Sequence, residues 1–134
     1  MYEMKEEYLT GIASIDAEHR KLFELAEETY QLLNDEFIVD KYDRLSDIIE
    51  EMKAYALTHL EHEEEYMKEH NYKGLLSQIV AHNEFREKIT DITLERTDDN
   101  AEELVKEVLT FITDWLVNHI YYSDKKIGEA LWEA

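Results

Sequence analysis

The sequence predicts an all-α fold: an up-down-up-down antiparallel four-helix bundle with an N-terminal arm and a short C-terminal helical tail. Three observations lead there. Apolar residues recur every three or four positions in four separate stretches, the spacing that puts side chains on one helix face. The 134 residues contain no Pro and only 3 Gly, so little interrupts a helix. The breaks between the stretches are short, and short connections between helices of comparable length join antiparallel neighbours. The whole chain, residues 1–134, reads as one domain.

The elements follow in order. Gly11 punctuates the arm, and Asp16 is the expected N-cap of the first helix. That helix carries the stripe Ile15, His19, Leu22, Ala26, Thr29/Tyr30, Leu33. Residues 35–41 break the chain before the second stripe: Leu45, Ile48/Ile49, Met52, Tyr55/Ala56, His59, Glu63, Met67. Asn71 to Gly74 make the next turn, and the third stripe is Leu75, Gln78, His82, Phe85, Ile89, Ile92. Residues 95–100 follow, with Asp99 and Glu102 spaced as a capping box. The fourth stripe is Leu104, Val108, Phe111/Ile112, Trp115, His119. Tyr122 to Ala134 read as a further turn or short helix on one end, docked through Leu131 and Trp132. None of the four stretches alternates strictly between apolar and polar, which argues against strands.

Composition excludes several functions. There are 14 Lys+Arg against 33 Asp+Glu, a formal charge of −19 that repels phosphate backbones and argues against nucleic-acid binding. With 44% apolar residues the chain is no disordered acidic tail. The absence of Cys rules out disulfides, thiolate metal ligands and a Cys nucleophile. No window reaches the ~18 apolar residues of a membrane span. The opening MYEMKEEYLTG lacks the basic and apolar regions of a signal peptide, so the expected location is cytoplasmic.

The most telling feature is a set of polar residues inside the apolar stripes. His19, His59, Glu63, Gln78, His82 and His119 all occupy positions facing the bundle interior. A buried imidazole or carboxylate costs several kcal/mol (roughly) unless it is paired or metal-bound. One such histidine is ordinary; six such residues on four helices, with almost no inward base to balance Glu63, call for a cation. His59 and Glu63, and again Gln78 and His82, are four residues apart, as in the dinuclear sites of helical bundles. His119 and Asp124 are five apart and diverge on a regular helix. They converge only if the helix ends or loosens into a wider turn after His119. Imidazoles with two carboxylates suit Fe, Zn, Mn or Cu rather than Ca or Mg. Two carboxylates suffice to bridge two ions.

Other candidates have plainer readings. His62 stands at the stripe edge as a solvated or outer residue, and His70 as a helix-end residue. The acidic run Glu61 to Glu65, Glu63 apart, reads as a solvated face. Tyr8, Tyr121 and Tyr122 read as packing residues with hydrogen-bonded hydroxyls.

These residues, in this order, resemble the hemerythrin family, specifically the bacterial single-domain bacteriohemerythrins. The stretches that carry the resemblance are GIASIDAEHRKLF (11–23), HLEHEEEYM (59–67), QIVAHNEF (78–85) and WLVNHIYYSDKK (115–126). The resemblance implies a non-heme diiron centre, oxo- or hydroxo-bridged, that binds O₂ reversibly for carriage, storage or delivery and is no enzyme. It implies one iron on His19 and His59, the other on His82, His119 and residue 78, with Glu63 and Asp124 bridging. By the same resemblance Trp115, Leu116 and Ile120 line an apolar O₂ pocket. The ligand it implies is O₂, and it specifies no protein partner. The chain departs from the family pattern at Gln78 (a His ligand in the family), at Leu60 (an aromatic) and at Met4 (a Trp). Either Gln78 ligates through its amide oxygen, or water takes its place, or that iron is weakly held. Two alternatives accompany the O₂-binding reading: an O₂ or redox sensor read by a separate partner, and a Gln78-altered centre reacting with peroxide or nitric oxide.

Overall fold

Lys41 locates one end of the bundle. At the start of the second helix, its ammonium donates to the Leu33 carbonyl at the end of the first, 2.8 Å away. It also pairs with Glu102 near the start of the fourth, at 2.9 Å. At the opposite end His19, His59, His82 and His119 come together. These contacts run the helices up, down, up and down, as the sequence predicts. The computed structural model describes residues 4–35, 41–91 and 101–131. Its helices are α1 (Ala13–Asn34), α2 (Lys41–Glu69), α3 (Leu75–Asp91), α4 (Ala101–His119) and α5 (Lys125–Leu131). A 3₁₀ turn, Glu6–Tyr8, lies in the N-terminal arm, and a π-helical turn, Ile120–Asp124, joins α4 to α5. Ile92, Asp99 and Trp132, and the side chains of Tyr121, Tyr122 and Leu131, lie outside the described residues.

Local chemistry sets the boundaries. The N-cap of α1 is Ile12, not the expected Asp16, which sits inside the first turn. Asp16 instead reaches backwards and accepts from Thr10 N and Thr10 Oγ1 at 2.8 Å each, and from Gly11 N at 3.2 Å. Its carboxylate therefore ties down the arm, and its place in the first turn also suits the helix dipole. Gly11 has φ 89°, open to glycine at little cost. The α2 end is a Schellman motif: Tyr72 N donates to Met67 O at 2.9 Å and Asn71 N to Lys68 O at 3.3 Å. Asn71 takes the left-handed position, φ 54°.

The stripes form the core, with small changes of phase. Leu32 rather than Leu33 is buried at the end of α1, and Val105 rather than Leu104 at the start of α4. On α4 the buried line is Val105, Val108/Leu109, Ile112 and Leu116, continued by Ile120 in the π-helical turn, with Phe111 and Trp115 at its edge. The four-helix core includes Leu22, Leu45, Ile49, Met52, Leu60, Phe85 and Ile89. Each such side chain contributes ~1.5–3 kcal/mol by leaving water. Leu60 is fully buried there and Met4 packs against it, so two of the departures from the family pattern are core-filling residues. Tyr8 stacks on Phe23 with centroids 5.6 Å apart, the packing role expected of it. A second, smaller cluster unites Ile12, Ile15, Met67 and Ile127. Each of Ile15, Met67 and Ile127 stands three or four residues from His19, Glu63 or Asp124 on the same stretch of chain. The small cluster is thus a floor one helical turn from those polar residues, and the main core is the ceiling.

Candidate metal centre

Between floor and ceiling, two groups of side chains meet. His19, His59, Glu63 and Asp124 bring ligand atoms within 4.8 Å of one another, and so do Glu63, His82, His119 and Asp124. Glu63 and Asp124 belong to both groups. Among nitrogen–oxygen approaches, His59 Nε2 lies 3.0 Å from Glu63 Oε2 and His82 Nε2 3.2 Å from Glu63 Oε1. His19 Nε2 and His119 Nε2 lie 3.1 Å and 3.2 Å from the two Asp124 oxygens. Despite these distances, both Glu63 oxygens, both Asp124 oxygens and His19 Nε2 lack hydrogen-bond geometry with any described partner. His82 Nε2 and His119 Nε2 do pair, at 3.0 Å; the carboxylate oxygens and His19 Nε2 crowd together unpaired. Unpaired, such a cluster is costly; a cation within each group satisfies it.

Each residue is placed by its own element. His59 and Glu63 stack on successive turns of α2. His19 comes from the second turn of α1, and His82 from the second turn of α3. Asp124 reaches the centre because residues Ile120–Asp124 form a π-helical turn. Of the two ways the five-residue spacing can close, an end to the helix or a wider turn, the structure takes the wider turn, and such turns concentrate at functional sites. Gln78, one turn before His82, is 3% exposed and its Oε1 has no hydrogen-bond partner among the described residues. Trp115 stacks on His119 with centroids 4.3 Å apart, and its ring centroid is 6.2 Å from that of His82. Leu116 and Ile120 are buried in the main core.

Two residues that matter here were read from sequence as surface or passed over. Glu18 accepts from His59 Nδ1 at 2.8 Å with one oxygen and from His62 Nδ1 at 2.6 Å with the other. Glu64, expected on a solvated face, accepts from His82 Nδ1 at 2.7 Å and from Arg86 Nη1 at 2.8 Å. A carboxylate at Nδ1 must accept a proton-bearing nitrogen, so in the neutral ring Nε2 keeps its lone pair and points it inward. The available signal was adjacency: Glu18 precedes His19 and Glu64 follows Glu63. His62 is half exposed at 54%, in the outer role expected of it. His70 bonds its Nδ1 to Tyr66 O and stacks on the Tyr66 ring at the end of α2.

The family described as Hemerythrin HHE cation binding domain matches residues 10–131. The chain belongs to the hemerythrin family. A bacteriohemerythrin of Clostridium acetobutylicum is 40% identical over 94% of this chain and 98% of its own length. Bacteriohemerythrins of Pseudomonas paraeruginosa and Methylococcus capsulatus are 25% and 22% identical, over 91% and 93% of this chain and 76% and 92% of theirs. A cation-binding family is what the donor set of this hemerythrin domain fits.

Electrostatics of the metal-free centre show how protons stand in for cations. Burial works against charging Glu63, but His119, His19, His59 and His82 around it hold its carboxyl well below the usual range. Burial likewise opposes protonation of His59, yet Glu18 and Glu63 beside it, with the Asp124 charge, raise it to about 10. Asp124 and Glu63 raise His119 to about 9 against its burial, and His19 moves up for the same reason. A raised histidine contributes stability that is complete below its unfolded value near 6.5 and is lost as pH rises through its folded value. Glu63, being lowered, contributes stability present above about 4.5 and lost as pH falls further. Metal-free protein should therefore melt at falling temperatures as pH rises from about 6.5 to about 10. Thermal unfolding by circular dichroism tests this. Metal loading should flatten the slope, because cations replace the protons and expel them. A metal-free melting temperature constant over that interval would contradict this account of the cluster.

Proposed function

We propose that this chain is a single hemerythrin-like domain, residues 1–134, that binds O₂ reversibly at two iron ions held between its helices, without enzymatic turnover. One observation carries the reading: two four-residue groups share both of their carboxylates. That pattern suits two cations side by side, with Glu63 and Asp124 spanning them. His19 and His59 would complete the first position, and His82, His119 and the Gln78 amide oxygen the second. The unpartnered Gln78 oxygen, buried beside His82, supports its inclusion. Imidazole-rich, thiolate-free donors suit iron. The iron pair, when bound, supplies the reversible electron transfer on which O₂ capture rests.

The remaining residues fit a carrier. Leu22, Leu60, Phe85, Leu116 and Ile120 are buried around the polar layer and exclude water. Trp115 lies flat against His119 and fixes its ring. Glu18 and Glu64 hold the His59 and His82 tautomers. Apart from the proposed ligands, the buried ionisable groups among the described residues are Asp16, engaged by the arm, and Tyr8, stacked on Phe23. Neither stands ready to donate a proton to bound O₂, which supports reversible binding over O–O cleavage. The apolar, water-excluding interior suits a carrier of O₂.

An optical O₂ titration on protein of known iron content tests the proposal. Two irons per chain are expected, with visible absorption that develops under O₂ and disappears under argon. One zinc, or no iron, sinks the diiron assignment; colour that never reverses sinks the carrier. A second test concerns the departure from the family pattern. Gln78→His should slow metal loss to a chelator by about tenfold, the scale of a change in the ligand environment, and slow autoxidation with it. Unchanged rates would remove residue 78 from the metal.

A further inference from the structure

Asp124 is the only proposed ligand that no long helix carries. It ends the π-helical turn, and α5 follows at once. Its position therefore depends on where α5 sits. Two contacts set that position. Ile127 is fully buried against Ile12, Ile15 and Met67. One residue on, Gly128 lies against the backbone of the N-terminal arm: a Cβ there would stand 1.7 Å from Thr10 O and 2.7 Å from Thr10 C. A contact that close to backbone leaves room for no side chain, and neither partner can turn aside as a side chain could. Thr10 in turn is pinned by Asp16, which takes its N–H and its hydroxyl, while Thr10 Oγ1 accepts from Ile12 N at 3.1 Å. The arm's 3₁₀ turn packs beside the π-helical turn itself. The arm and α5 thus close on each other beneath the polar layer.

We propose that Gly128 is a positioning residue for Asp124: its bare backbone seats α5 on the Thr10–Asp16 corner of the arm, and this clasp holds the Asp124 carboxylate between the two cation positions. The proposal rests on the metal-centre reading and deepens it. It makes retention of both ions depend on a contact that touches neither. It also gives the N-terminal arm a part in the centre that no ligand pattern contains, since the arm supplies the seat and Asp16 fixes the seat's shape. Any rearrangement of Asp124 on loading or emptying the centre is transmitted through three residues to this corner.

Co²⁺ is the probe, because its visible bands report ligand geometry and its loss to a chelator gives a rate without any O₂ chemistry. Gly128→Ala should release Co²⁺ about 10–100-fold faster than the parent chain, the range seen when residues that orient metal ligands are altered. It should also shift the visible bands. Asp16→Asn, which leaves Gly128 intact and loosens its seat, should change both in the same direction, and it carries the test if Gly128→Ala does not fold. Ile49→Ala, in the main core about 15 Å along α2 from His59 at ~1.5 Å per residue, should lower the melting temperature while leaving rate and bands unchanged. Parental release and bands in either folded clasp variant overturn the role of Gly128, and so does equal acceleration by Ile49→Ala. A parent chain that takes up no Co²⁺ overturns the metal-centre reading and this inference together.

Discussion

Two carboxylates buried with no lysine or arginine beside them govern this protein. Glu63 and Asp124 are essentially solvent-free, and no lysine or arginine is buried among the described residues to balance them. Leaving two negative charges unpaired in a bundle core is prohibitive. The surrounding structure answers that constraint. Four imidazoles converge on the pair, two outer carboxylates orient two of those imidazoles, and apolar layers above and below keep water away. Without metal, protons on the histidines offset the carboxylates; in the proposed loaded centre, cations would take their place. Folding and metal binding would then be linked through the same atoms.

The two halves of the centre are not alike. On one side His59 is backed by Glu18, which also reaches the exposed His62. On the other, His82 is backed by Glu64, itself neutralised by Arg86. The Nδ1 of His19 finds no acceptor among the described residues. An amide at residue 78, rather than a third imidazole, adds to the asymmetry. The proposed second position therefore combines a weaker, harder donor with a better-compensated outer carboxylate. Differences of this kind set the relative affinities of neighbouring ions.

Much of this was legible in the sequence, for identifiable reasons. Helical periodicity fixed the four long helices, because burial on one face leaves a repeat that a linear reading detects. The inward histidines stood out because polar residues in an apolar stripe demand a partner. For His119 and Asp124 to meet, the helix had either to end or to widen between them, and the π-helical turn is the second of those two. What escaped were features that depend on a third dimension. Glu64 has the same local surroundings in sequence as its solvated neighbours, and only the approach of α3 turns it toward His82. Asp16 looked like an N-cap because its residue type suits one, yet the arm folds back and claims its carboxylate. The one-residue shifts at Leu32 and Val105 reflect packing between helices, which no single stripe encodes. The contact of Gly128 with Thr10 joins opposite ends of the chain and leaves no periodic trace.

The central claim is that one pair of carboxylates serves two cations. Anomalous diffraction at the iron edge, from crystals of the iron-loaded protein, measures this directly. The account predicts two peaks about 3.5–4 Å apart, the usual spacing of paired metal ions. Each peak should lie within bonding distance of both Glu63 and Asp124, with His19 and His59 on one and His82 and His119 on the other. A single peak, or two peaks that do not share those carboxylates, would contradict it.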